Sequence, residues 1–182
     1  MFFEHIKRHE PTTGREEKSL DAIKAFIDSD RDNLFSRTNL KGHITASAWV
    51  VNPEMTKTVL VHHKKLDKWV QPGGHADGSE DILGMARQEV WEETGLKNTE
   101  LGYDGIFDVD AHTIPEAQKN GVMEPAHTHF DVRYLLVADG SEDVQVSDES
   151  HEVKWAGLEE AKKLNPEMGR MIEKTIKVRE GK

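Results

Sequence analysis

Pro72-Gly73-Gly74-His75-Ala76-Asp77-Gly78-Ser79-Glu80 runs through Asp81 and Arg87 into Gln88-Glu89-Val90-Trp91-Glu92-Glu93-Thr94-Gly95-Leu96. Proline followed by paired glycines punctuates regular structure, so the stretch is expected to open as a loop. Ser79 suits a helix N-cap, and Glu80 and Asp81 suit the positive end of a helix dipole. Leu83, Ala86 and Val90 recur at helical spacing and predict the buried stripe. Gly95 fits the left-handed residue that ends a helix. The unit reads as loop, helix, loop.

Glu89, Glu92 and Glu93 fall three and four positions apart, which on a helix puts three carboxylates on one face, away from the apolar stripe. Like charges so placed repel, and a bound cation removes the conflict. Hard cations such as Mg²⁺ take oxygen ligands, commonly carboxylates together with waters and substrate phosphates. A solvated acidic face is the plainer alternative for a bare Glu-x-x-Glu-Glu, and the glycine loop ahead of it favours the metal reading.

The stretch resembles the signature box of the Nudix hydrolases. The box requires a glycine, five residues, a glutamate, seven residues, then Arg-Glu-apolar-x-Glu-Glu-x-Gly-apolar. Gly74, Glu80, Glu89, Val90, Glu92, Glu93, Gly95 and Leu96 match at that spacing, and Gln88 stands where the family has arginine. Glutamine donates hydrogen bonds but lacks the charge and rigid fork of arginine. Arg87 projects about 100° away around the helix and is no evident substitute. The resemblance implies an α/β fold, an α/β/α sandwich around a mixed β-sheet, and Mg²⁺ or Mn²⁺ as cofactor. It implies that Glu92 and Glu93 hold the metal, that Glu89 is a ligand or the base that deprotonates the attacking water, and that the backbone at Gly73 is a further ligand. Some members place the base on a late loop, where Glu149 is the candidate here, with Glu152 behind it. Glu80 is expected to be supportive.

Outside the box, the formal net charge of −10 argues against nucleic-acid or anionic-membrane partners, which need basic footprints. It leaves a small-molecule nucleotide substrate open, because bound divalent cations invert the local charge. The chain has no cysteine, which excludes disulfides, thiolate catalysis and zinc–thiolate sites. Neither a signal peptide nor a membrane span is read from the N-terminus, so a cytoplasmic protein is expected. An isologous homodimer is the base-rate oligomer.

Arg15 to Asp28 reads as a helix with Leu20, Ile23 and Ile27 in a stripe. His43 to Val51 alternates as a strand, followed by Thr58 to His62 and a short strand through Trp69 and Val70. A strand near Leu101 to Asp110, a polar excursion to Pro125, a strand from His127 to Val137 and a final strand from His151 to Trp155 follow the box. Leu158 to Leu164 and Glu167 to Val178 are predicted helices. This irregular alternation predicts a mixed sheet between helices rather than a parallel doubly wound sheet. Residues 1–40 are expected to be a helical extension packed on a catalytic domain of residues 41–182.

Ten histidines are present, among them His62, His63, His75, His112, His127, His129 and His151. His127 and His129 share a strand face, where two imidazoles could hold a transition metal or line a cleft. His75 and His129 are candidates for substrate phosphate contacts, with His62 beside them. Arg133, on the same face, either clamps a phosphate or pairs with Asp131 or another acid. Trp69 and Phe107 are either a nucleobase platform or core. The expected activity is metal-dependent hydrolysis of a phosphoanhydride in a nucleoside diphosphate linked to another group (nucleotide sugar, ADP-ribose or nucleoside triphosphate type). The rivals are a non-catalytic nucleotide sensor on the same fold, an isoprenoid diphosphate isomerase, which the lack of cysteine disfavours, and a zinc or nickel protein built on the histidines.

Overall fold

The computed structural model describes residues 2–119 and 122–181, so Met1, Lys182, and Asn120 and Gly121 within the polar excursion lie outside the description. Two helices come first, α1 (Phe2–Arg8) and α2 (Gly14–Ser29). Thr13 caps α2 by accepting from the Glu16 backbone N–H. The strands β1 (Gly42–Val51), β2 (Lys57–His63), β3 (Lys68–Val70) and β4 (Gly73–His75) lead to α3 (Ile82–Thr94). Then come β5 (Glu100–Leu101), β6 (Asp108–Ile114), β7 (Ala117–Lys119), β8 (Val122–Glu124), β9 (His127–Val137) and β10 (Ser150–Gly157). Helices α4 (Leu158–Leu164) and α5 (Gly169–Arg179), joined by a 3-10 turn (Pro166–Met168), close the chain.

The sheet is mixed, as expected. Its strands run β10-β2-β1-β9-β5, with β3 on β2, β4 on β1 and β6 on β9. Among the described residues only the β1–β9 pairing is parallel, with His43 opposite His129 and Ala46 opposite Val132. β1 is buried along its whole length, as a central strand must be when both faces are covered. Its alternate residues divide between two cores. Ile44, Ala46, Ala48 and Val50 join Phe130, Val132, Tyr134 and Leu136 under α1, α2 and α3. Trp49 and Val51 join Leu60, Leu135, Ala161 and Ile172 under α4 and α5. The result is an α/β/α sandwich. Trp49 also fastens the second layer, donating its indole N–H to Thr175 Oγ1 at 2.9 Å.

Several local expectations are corrected. Gly73–His75 is not loop but a short strand, antiparallel to β1 with Gly73 opposite Ser47 and Gly74 opposite Ala46. Two glycines suit this position because a Cβ on Gly73 would strike the Ser47 Cβ. The N-cap of α3 is Asp81, which accepts from the Gly84 N–H at 3.1 Å, while the Ser79 hydroxyl accepts from the Asp81 N–H. Gly95 ends α3 in the left-handed conformation (φ 78°). The strand expected near Leu101 to Asp110 is two strands, β5 and β6, and the polar excursion carries the β7–β8 pair. Helix α1, with Phe2 and Ile6 buried, lies with α2 in the N-terminal helical extension that was expected, although no stripe in the sequence marks it out.

Candidate active site

Helix α3 presents the carboxylates, and β4 sets what they face. Ala86 and Val90 anchor the helix on the sheet, so Glu89 and Glu93 lie along its flank against the two glycines. The Gly73 backbone N–H donates to Glu93 Oε2 at 3.0 Å. A Cβ on Gly74 would collide with the Glu89 carboxylate, so the second glycine makes the space that Glu89 occupies. Glu92 is exposed and accepts from Gln88 Nε2 at 2.8 Å. The residue in place of the family arginine thus supports a box carboxylate through one neutral bond.

Electrostatics mark the site. Burial, then the charges of Glu92, Glu149 and Asp77, push the Glu89 carboxyl up to about 7. Burial again leads at Glu93, which is pushed up to about 8; the Gly73 N–H opposes the shift and Glu89, Glu149 and Glu92 add to it. The charged neighbours that act most on these two groups are acidic. Glu149 is exposed on the loop before β10, yet its charge reaches both box glutamates from far along the chain. Acids are gathered here with no protein cation among those neighbours. Carboxylate oxygens are hard donors, the chemistry that Mg²⁺ and Mn²⁺ take.

On the opposite face of β4, His75 points away from Glu89 into a group of histidines. His43, at the start of β1, lies 4.7 Å from His129 and 5.1 Å from His75, ring centre to ring centre. His127 is 5.2 Å from both His43 and His129, and His112 is 5.7 Å from His129. His43 is 1% exposed. Neither of its ring nitrogens has a hydrogen bond, although the Asn39 backbone lies near enough to oppose the shift of its pKa. His129 Nε2 is also buried without a partner. An unpaired buried polar atom costs about 1–3 kcal/mol. Burial, then His75 and His127, hold His43 down at about 4; burial, then His43 and His75, hold His129 at about 3. Both are neutral at physiological pH.

Arg133 is engaged by acids of the sheet. Its guanidinium, 10% exposed, lies 2.8 Å from Asp131 and 2.6 Å from Asp108. Thr45 and Ser47 donate to the remaining lone pairs of Asp131. The ion-pair alternative holds, because these buried acids claim the charge. Phe107 is core, whereas Trp69 is half-buried and stacks on His62 with centroids 5.0 Å apart.

A family model for the NUDIX domain matches residues 41–175, most of the chain. The chain belongs to the Nudix family. A bis(5'-nucleosyl)-tetraphosphatase [asymmetrical] from Mus musculus is 29% identical over 106 residues, which are 57% of this chain and 62% of the mouse protein. The Rattus norvegicus protein of the same name is 28% identical over the same share. The match spans less than two thirds of either relative. Among solved structures, a C. elegans Ap4A hydrolase binary complex superposes with a TM-score of 0.55 at 21% identity, covering 76% of this chain and 98% of that one. A NUDIX-family hydrolase from Clostridium perfringens gives a TM-score of 0.52 at 24% identity, covering 73% and 95%. At such identities the likeness speaks for the fold.

Within this Nudix domain the sequence singles out Gly73, Glu89, Glu92, Glu93 and the late-loop Glu149; the charge of Glu149 acts on Glu89 and Glu93, and the structure adds that of Asp77 on Glu89. His43 was missed. Alternation along β1 puts it on the same face as Thr45 and Ser47, but its neighbour His129 follows from a parallel register that no local pattern encodes.

Proposed function

We propose that this chain is a divalent-cation-dependent pyrophosphohydrolase that cleaves a phosphoanhydride bond in nucleoside polyphosphates, with dinucleoside polyphosphates as the leading substrate class. The observation that carries the reading is the pair of carboxylates, half-buried Glu89 and buried Glu93, packed on a two-glycine strand with acidic Glu92 and Glu149 acting on both. The substrate class rests on the names of the mouse and rat relatives. No helix among the described residues is long and apolar enough to cross a membrane.

Glu92, Glu93 and the Gly73 carbonyl would hold Mg²⁺ or Mn²⁺, with Glu89 as a further ligand or as the base. When bound, such a cation neutralises the polyphosphate and lowers the pKa of a coordinated water. The chain's own contribution is placement and proton transfer. The Gly73 N–H fixes one Glu93 oxygen and so orients the other. Gln88 steadies Glu92. Glu89 would accept the proton of the attacking water, and Glu149, whose charge acts on Glu89, is the second candidate base. Water then attacks one phosphorus and the products are a nucleoside phosphate and a second phosphate-bearing fragment. His75 and His129, being on the other face of β4, would meet the distal part of an extended substrate rather than the scissile bond.

The test is a substrate panel of dinucleoside polyphosphates, nucleotide sugars, ADP-ribose and nucleoside triphosphates, with and without Mg²⁺, with products separated by chromatography. Mg²⁺-dependent cleavage strongest for dinucleoside polyphosphates supports the reading. Binding without turnover of any member would favour the sensor alternative.

A further inference from the structure

We propose that His43, His75 and His129 form a second metal site, selective for a borderline transition ion, Zn²⁺ first, and separate from the oxygen-rich site on α3. The three offer one ring nitrogen each, all within 4.8 Å of one another. Tetrahedral Zn²⁺ with nitrogen ligands at about 2.0–2.1 Å needs nitrogens roughly 3.3 Å apart, so modest side-chain rotations close the shell. The backbone fixes the group: His43 and His129 are cross-strand partners on β1 and β9, and His75 sits on β4 opposite Thr45, two residues along β1 from His43. Imidazole nitrogens suit Zn²⁺, Ni²⁺ or Cu²⁺, whereas Mg²⁺ takes oxygens, so donor type sorts the two sites.

Two facts separate this group from histidines that merely line a cleft. His43 is almost wholly buried with both ring nitrogens unpaired, and His129 Nε2 is buried and unpaired. His127 and His112 flank the trio with their Nδ1 atoms committed, to the Pro125 carbonyl at 2.9 Å and to Asp110 at 3.2 Å. Three protein nitrogens leave a fourth position for water or an anionic ligand. The ion would add positive charge to one face of an acidic chain.

Two readouts test this, neither of them activity. Full-length protein stripped with chelator is titrated with Zn²⁺ or Co²⁺ under excess Mg²⁺, which saturates the carboxylate site. One equivalent is expected, with the visible bands of low-coordinate Co²⁺. His43→Gln and His129→Gln are each expected to weaken it more than about 100-fold, beyond the loss typical of an outer contact. His62→Gln should leave it unchanged. X-ray absorption of the Zn²⁺-loaded wild type, which needs no variant to fold, should show three imidazoles in the first shell. Absence of a stoichiometric ion, an all-oxygen shell, or binding lost in Glu93→Gln but kept in both histidine variants would overturn the proposal.

Discussion

At Glu93 burial and like charge act in one direction, and the consequence is measurable in the metal-free protein. An acid whose folded pKa is raised above about 4.5 keeps a proton that the unfolded chain releases. Its contribution to stability is whole below that value and is lost as pH rises through about 7 for Glu89 and about 8 for Glu93. A divalent cation at these carboxylates reverses the trend by favouring the charged form. Mg²⁺ or Mn²⁺ should therefore raise the melting temperature more at about pH 8.5 than at about pH 6. Glu93→Gln should remove most of that gain while making the metal-free protein more stable at the higher pH. A metal-induced shift that shrinks as pH rises would contradict this account. The histidines titrate the other way. With folded values of about 4 and about 3, the stability of neutral His43 and His129 is whole above about 6.5 and is lost as pH falls through those values. In chelator, His43→Gln should flatten the decline in urea midpoint on the acid side. An unchanged acid slope would argue that the ring is protonated in the folded state.

At the scale of the element, the site is a contact between one helix and one very short strand. Gly74 leaves the room Glu89 needs, so Gly74→Ala should push the carboxylate aside. The obstacle is the mobile end of a side chain rather than backbone, so melting temperature should change little. A displaced catalytic carboxylate should lower kcat by about 100-fold. A fully active Gly74→Ala would show that Glu89 is not held where the chemistry needs it. Helix α3 was legible in the sequence because Ala86, Val90, Glu93 and Gly95 each obey a local rule: period, capping or charge spacing. Strand β4 was not. Local chemistry assigns Pro72-Gly73-Gly74 to a turn, and only pairing with β1, whose Ser47 tolerates no Cβ opposite it, makes the segment extended. Asp81 displaced Ser79 as N-cap because the helix begins at Ile82, later than the charge pattern suggested.

Across the whole molecule, a buried ionic network ties the ends of the chain to the edge of the sheet. Lys174 on α5 bonds Glu16 on α2, Asp108 at 2.9 Å and the Phe107 carbonyl at 2.8 Å. His9 lies 2.8 Å from Glu16, and Arg133 and Arg170 share Asp108. Burial opposes ionisation of Glu16, but bonds from His9, Lys174 and Thr12 hold its pKa well below the usual range. Removing one partner leaves the remaining buried charges with one fewer counter-charge. Lys174→Met should cost about 3–5 kcal/mol of unfolding free energy, read from urea denaturation. A loss under about 1 kcal/mol would mean that water reaches the network. None of this was legible beforehand, since Glu16, Asp108 and Lys174 are ordinary charges in sequence and meet only when α2 and α5 pack beside β6. Arg133 was drawn into the same set for the same reason. The layered sandwich was legible, because each long element carries its own period.

The most direct measurement is the hydrolysis of diadenosine tetraphosphate by wild type and Glu93→Gln at saturating Mg²⁺, with folding of both checked by circular dichroism. Losing one metal-holding carboxylate should lower kcat by at least about 100-fold, roughly 2.7 kcal/mol of barrier, with wild-type turnover vanishing in chelator. Turnover by Glu93→Gln within a few-fold of wild type, or wild-type turnover that survives chelation, would contradict the account.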